Sequence, residues 1–193
     1  MAISLTSDPI ISAADANTLL GWGTTDEETY SAINAVSARF LQFTGRSRIT
    51  SGAIAAEIHN LPPYGCPVIW LKAAPVDTGE TFTVEMYDDG SLSETIASGD
   101  YTLYATTGKL VLPSHGVIRQ DYTRDIRVAY TGGWSSVPWD VVEAAVELMR
   151  LDKARRDGAI GVQSISREGM STNYQTAGIP QEVKDAWAPY RIF

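Results

Sequence analysis

The amino-acid sequence predicts an α+β fold: amino- and carboxyl-terminal helices form a small bundle, and an antiparallel β module is inserted between them. Two observations carry this. Apolar residues recur at helical spacing up to about residue 45, alternate in steps of two between about 50 and 130, and return to helical spacing after Trp134. The stretch "YTGGWSSVPWDVVEAAVELM", Tyr130 to Met149, holds both periods on either side of a glycine pair. Residues 1–49 and 134–193 are therefore expected to form a helical core with a carboxyl-terminal arm and tail, and 50–133 the inserted module. A chain of 193 residues accommodates one compact unit with an insertion more readily than two separate domains.

Each element has a local reason. Ser12 followed by Asp15 caps a short helix through Leu20, which Gly21 ends. Thr25 and Glu28 form a capping box, Asp26 and Glu27 suit the positive helix start, and Tyr30, Ile33, Val36 or Ser37, and Phe40 follow at helical spacing, with Gly45 as terminator. The alternating sets Ile54, Ala56, Ile58, then Phe82, Val84, Met86, then Ile126, Val128, Tyr130 read as half-buried strands. Turn signals separate them in "PVDTGE", "YDDGS" and "TTGK", giving a module of about five or six strands.

Past the glycine pair, Pro138 opens a helix carrying Val141, Val142, Ala145, Leu148, Met149 and Asp152. Lys153, Arg155 and Arg156 complement its dipole in the last turn, and Gly158 stops it. A glycine-punctuated segment from Ala159 to Gly178 contains "VQSIS" and "MSTNY" as short strands or an extended arm. Pro180 opens a final short helix that Pro189 closes. Gly132-Gly133 thus reads as a seam between two kinds of structure, with Trp134 and Trp139 expected to pin it.

Composition narrows the function classes. An apolar fraction of 44% and a charged fraction of 20%, with no apolar run near the ~20 residues of a membrane span, fit a soluble globular protein with no membrane partner. The amino terminus lacks the basic opening and apolar core of a secretory signal. The single cysteine, Cys66, excludes an internal disulfide framework or cysteine zinc cluster. A net charge of -8 opposes tight sequence-independent nucleic-acid binding, which depends on Lys and Arg neutralising phosphates, yet suits a conduit to which DNA must not stick.

Motifs for chemistry fail. At "TTGKL" a phosphate loop would need glycine where Leu103 stands and Ser or Thr where Leu110 stands, and the third glycine of a dinucleotide fingerprint is replaced by Asp26. No nucleophile elbow occurs. His59 and His115 lie far apart, so no histidine pair at helical spacing holds a metal. Asp88-Asp89-Gly90 lacks the distal glutamate of a calcium loop and reads as a hairpin turn. No cofactor is implied. Trp70, Trp134, Trp139 and Trp187 suit core or protein-interface anchoring, or a stacking platform.

Several segments, taken in order, resemble the head-tail connector (adaptor, or head completion) proteins of long-tailed bacteriophages. "LPPYGCPVIWLKAAPV" looks like the family's Leu-Pro followed by Pro-Val-x-x-Leu strand, and "GDYTLYATTGKLVLP" like its Asp-Tyr hairpin. "IRVAYTGGWSSVPWDVVEAAVELM" looks like its last strand, glycine turn, Val-Pro and helix. "RRDGAIGVQSISREGMSTNYQTAGIPQEVKDAWAPYRIF" resembles its arginine-rich helix end, Ile-Gly-Val-x-Ser segment and Pro-Tyr-Arg ending. Trp134 and Cys66 depart mildly from the pattern.

The resemblance implies a non-catalytic virion protein, assembled in the host cytoplasm. Identical subunits would form a ring, usually a dodecamer, under the portal protein, extending the channel through which double-stranded DNA passes without specific binding. The ring would present a surface to the next neck, stopper or tail protein. Trp187, Pro189, Tyr190, Arg191, Ile192 and Phe193 are the implied portal-docking residues. The ring's two faces are expected on the helix from Asp140 to Asp157 and on the flanks of the β insert, with Arg155, Arg156, Ile160, Val162, Arg167 and Tyr174 as inter-subunit or arm residues. The alternative from another class is a β-module binding protein recognising sugar through its tryptophans, and a small hydrolase stands third.

Overall fold

The computed structural model describes residues 3–21, 27–60, 68–113, 124–156, 164–167, 170–173 and 178–192. They divide into two compact units, Met1–Thr44 with Val137–Arg191 and Gly45–Ser136 with Ile192–Phe193. Helices stand at both ends of the chain and antiparallel strands in the middle, so the α+β expectation holds.

The helical unit contains α1 (Ala13–Leu20), α2 (Glu27–Thr44), α3 (Trp139–Arg156) and α4 (Gln181–Trp187), then a 3-10 turn at Ala188–Tyr190. Ser12 caps α1 as its sequence predicts: Oγ accepts from the Asp15 N–H at 3.1 Å and donates to the Asp15 carboxylate at 2.6 Å. Thr25, the other half of the second capping box, lies outside the described residues, as does Gly158.

Helix α2 buries Thr29, Ala32, Ile33, Val36, Ser37, Phe40 and Thr44. The expected Ile33, Val36, Ser37 and Phe40 are all on the buried stripe; at its start Thr29 is buried and Tyr30 only half-buried. Its polar members are satisfied. Ser37 accepts from the Ile10 N–H at 3.0 Å, and Thr44 donates to the Phe40 carbonyl at 2.7 Å. Asn34 accepts from the Thr6 N–H at 2.8 Å and donates to the Ser4 carbonyl at 2.9 Å, laying the amino-terminal segment along α2.

Pro138 directly precedes α3, and its carbonyl accepts from the N–H groups of Val141 and Val142, both at 3.1 Å. The expected apolar set is buried together with Ala144 and Val146, a stripe wide enough to meet α1, α2 and α4. After α3, β8 (Ser164–Arg167) and β9 (Met170–Asn173) pair antiparallel, so the "VQSIS" and "MSTNY" segments do carry strands. Among the described residues no helix is long and apolar enough to cross a membrane.

The β unit holds seven described strands rather than five or six: β1 (Gly52–Asn60), β2 (Val68–Trp70), β3 (Thr83–Asp88), β4 (Ser91–Ile96), β5 (Thr102–Tyr104), β6 (Lys109–Val111) and β7 (Arg124–Gly132). Three of them are three residues long, too short for an alternating pattern to register. One sheet has the order β1-β7-β3-β4 and the other β2-β6-β5. Their facing residues share one core, including Ile69, Leu71, Leu110, Val84, Ile126 and Val128. The β3–β4 connection is the expected hairpin. Asp89 at φ +48° and Gly90 at φ +81° form a two-residue turn whose twist matches the strands.

Strand β1 departs from its predicted alternation. Ile54 stands opposite Tyr130 and Glu57 opposite Val128, so three steps on β1 match two on β7. This bulge leaves Ala55 and Ala56 both exposed and turns the following residues over: Ile58 is 55% exposed, while Glu57 and His59 point inward. The inward carboxylate explains the inversion. Glu57 accepts from the Lys72 N–H at 3.0 and 3.2 Å and from the Tyr130 hydroxyl at 2.5 Å, and His59 Nε2 lies 2.8 Å from it. Tyr130 in turn accepts from the Ala73 N–H at 3.0 Å.

The glycine pair is a place of close backbone approach. Gly133 donates to the carbonyls of Ala73 at 2.9 Å and Pro75 at 3.0 Å, and at φ +101° any side chain there would overlap the Thr50 carbonyl. Next to it, Trp134 exchanges backbone hydrogen bonds with Ile49 and Ser51 and stacks under the Arg46 guanidinium at 4.1 Å. Trp134 does anchor its side of the seam. Trp139, 63% exposed, does not, because the inward face of α3 is already filled by aliphatic residues.

Two outcomes test this account. Gly133→Ala is expected to destabilise the β unit by about 1–3 kcal/mol, the cost of a non-glycine residue forced into this backbone region, read from chemical denaturation. Glu57→Gln is expected to cost about 1–3 kcal/mol at neutral pH, because it weakens hydrogen bonds to a charged acceptor. Burial alone would raise the Glu57 carboxyl, but His59, the Tyr130 hydroxyl and the Lys72 N–H together hold it below its ordinary value. The wild-type advantage is therefore complete above the ordinary carboxylate range and shrinks as pH falls through the folded value. A penalty that stays constant down to about pH 3, below the carboxylate reference values, would rule out the carboxylate as the acceptor.

Candidate functional site

Among the described residues no group of His, Cys, Asp and Glu is arranged to hold a metal ion. Cys66 and His115 lie outside them. The cluster with displaced titration is the one around Glu57, and its geometry is that of a clamp. Both Glu57 oxygens are engaged by the Lys72 N–H, and one also takes the Tyr130 hydroxyl. Burial, reinforced by the adjacent Glu57 carboxylate, pushes the Tyr130 hydroxyl far up, so it stays protonated and donates. Tyr101 is raised by burial alone.

Trp70, Trp134, Trp139 and Trp187, the tryptophans among the described residues, stand in separate surroundings. Trp70 is a half-buried member of β2 with Lys109 at 5.9 Å, Trp134 lies under Arg46, Trp139 is exposed, and Trp187 is 0% exposed.

The carboxyl-terminal residues are built on α4. Val183 and Trp187, one helical turn apart, are buried. The Trp187 ring meets Phe40 edge-on at 5.2 Å and Phe43 at 6.2 Å, and its Nε1–H donates to the Val141 carbonyl at 3.4 Å. Trp187 therefore fixes the segment that follows and presents no surface itself. Pro189 lies exposed in the 3-10 turn. The Tyr190 hydroxyl donates to both Asp140 oxygens at 2.9 and 2.8 Å, and the exposed Arg191 stands 5.5 Å over the Phe43 ring. Ile192 is half-buried and groups with the β unit, and Phe193 lies outside the described residues.

At the other end of α3 the basic residues form a network. Asp152 is held by Arg39 at 2.5 Å and Arg155 at 3.3 Å, while Glu28 receives Lys153 at 3.3 Å and Arg156 at 3.9 Å. Arg167 is placed in β8; Ile160, Val162 and Tyr174 lie outside the described residues. Sequence reasoning missed a cleft of about 460 Å³ formed by α1, α3 and α4, with Trp139, Glu143, Glu147 and Glu182 on its rim. The signal was present: Trp139, Glu143 and Glu147 recur every four residues, one face of a helix.

No protein-family model and no curated protein matches the chain. Solved structures do. A chain in the neck of an empty gene transfer agent particle, computed with C6 symmetry, matches with a TM-score of 0.58 at 17% identity, over 99% of this chain and 95% of that one. A chain in the neck of the native particle, computed with C12 symmetry, matches with 0.57 at 16% identity, over 99% and 94%. A chain in the virion of the native particle matches with 0.54 at 18% identity, over 96% and 92%. At such identities the likeness establishes the fold: this chain is folded, almost end to end, as chains in the neck and virion of gene transfer agent particles are.

Proposed function

We propose that the protein is a structural virion component, a head-tail connector adaptor. Its identical subunits form a ring under the portal protein, extend the DNA channel and receive the next neck or tail protein. The observation that carries this reading is the nearly full-length likeness to neck chains, two of them in necks computed with C6 and C12 symmetry. Cyclic symmetry requires each subunit to offer two different complementary faces, so that heterologous contacts close. The net charge of -8 suits a lumen that double-stranded DNA passes without adhering. The protein would reside in the virion neck, after assembly in the host cytoplasm.

Pro189, Tyr190, Arg191, Ile192 and Phe193 are assigned to portal docking. The exposed proline and arginine follow directly on a buried anchor, an arrangement that presents interface residues at low ordering cost. Trp187 serves that surface from inside. Arg155, Arg156 and the arm residues Ile160, Val162, Arg167 and Tyr174 are assigned to contacts between subunits.

Deletion of Pro189–Phe193 is expected to leave a folded protein whose portal binding falls about thirtyfold or more, the weight of a hot spot of about 2 kcal/mol. Undiminished binding in a pull-down with the portal would sink the docking assignment. Trp187→Ala is expected to act differently, lowering the stability of the helical unit by about 3–5 kcal/mol, as measured by thermal unfolding. Electron microscopy of the protein bound to its portal tests the ring itself.

A further inference from the structure

We propose that the cleft on the helical unit is the acceptor face of a head-to-tail contact with a second copy of this chain, and that it receives the basic carboxyl-terminal end of the neighbour's α3. The proposal rests on the ring reading and names the two faces that such a ring requires. The cleft has an apolar floor, to which Leu19, Val183 and Ala186 contribute. Its lining carries four carboxylates, Asp140, Glu143, Glu147 and Glu182, against one cation, Arg150. Arg150 is occupied locally: it donates to the Leu19 carbonyl at 3.0 Å and lies 3.6 Å from Glu147. Asp140 is likewise occupied by Tyr190. Glu143, Glu182 and Trp139 are all exposed and line the same cleft.

An exposed indole flanked by carboxylates is a receptor for a guanidinium or ammonium group, which gains both a cation–π contact and charge-assisted hydrogen bonds. The chain carries the complementary patch. Among the described residues, the four cations Arg39, Lys153, Arg155 and Arg156 cluster around two carboxylates, Glu28 and Asp152. Trp139 and Arg156 are the two ends of one helix, about 25 Å apart along its axis at about 1.5 Å per residue. The two patches centre on opposite ends of α3 and, held that far apart, cannot satisfy each other within a chain. Between copies they make a heterologous contact that can repeat around a ring. The same contact accounts for a large aromatic left on the surface of a helix whose inward face is already full.

The test uses the full-length protein in sedimentation equilibrium, with two charge-reversed variants, Glu143→Lys/Glu182→Lys and Lys153→Glu/Arg156→Glu. All these positions are exposed or half-buried, and matching thermal unfolding checks that the variants fold. Each variant alone is expected to self-associate at least about tenfold more weakly than wild type, and an equimolar mixture to recover, since each variant then supplies the sign the other needs. Raising salt from about 0.1 M to about 1 M, which shortens the screening length from about 10 Å to about 3 Å, is expected to weaken wild-type association as well. The proposal is overturned if the reversals leave association unchanged, if the mixture fails to recover, or if the wild type stays monomeric at its highest soluble concentration. A ring on the portal that survives cleft reversal overturns this proposal alone and leaves the ring reading standing. Absence of any ring on the portal removes the ring reading itself.

Discussion

The burial of Trp187 is the contact on which the helical unit depends. Its ring closes against Phe40 and Phe43 of α2, and its N–H reaches the Val141 carbonyl of α3, so one side chain ties the last helix to two earlier ones. A short helix of seven residues has little stability of its own in water. Packing through the indole supplies it. Everything downstream inherits that placement, including the Tyr190 bond to Asp140 and the position of Arg191 over Phe43. Tyr190 and Arg191 are thus held against the helical unit by neighbours that Trp187 fixes in place.

In the β unit the corresponding constraint is a carboxylate. Glu57 is turned inward by a one-residue bulge, where it serves the Lys72 N–H and the Tyr130 hydroxyl, and Tyr130 serves the Ala73 N–H. These bonds join β1 and β7 to the segment between Leu71 and Val76, next to the place where Gly133 donates to the Ala73 and Pro75 carbonyls. A cluster that in isolation has the residue types of an acid-base site is used here to satisfy backbone groups where irregular chain meets sheet.

Helix α3 connects structure to proposed function. One face is aliphatic and fills the unit, its carboxyl-terminal turn is basic, and its outward amino-terminal half is acidic around an exposed tryptophan. The helix thus carries unlike charges at opposite ends of a rigid rod.

Much of the architecture was legible in the sequence. Periods of 3.6 and 2 reflect which face of an element is buried, so they exposed α2, α3, β3 and β7 directly, and Ser12 with Asp15 marked the start of α1. The short strands β2, β5 and β6 were not legible by period, because three residues cannot establish one; they were visible only as part of a family resemblance. The bulge in β1 was hidden because alternation is a local rule, while the inversion after Ala56 comes from hydrogen-bond donors at Lys72 and Tyr130, brought near by folding. Trp139 opens α3 and Trp187 ends α4, and composition treats them alike. The sequence by itself determined the order of elements, their faces and the sign of their charges, because these are encoded in neighbours along the chain. Only the tertiary structure decided which tryptophan is core and which is surface, and that four carboxylates from α3 and α4 share one rim, because those facts depend on which elements pack together.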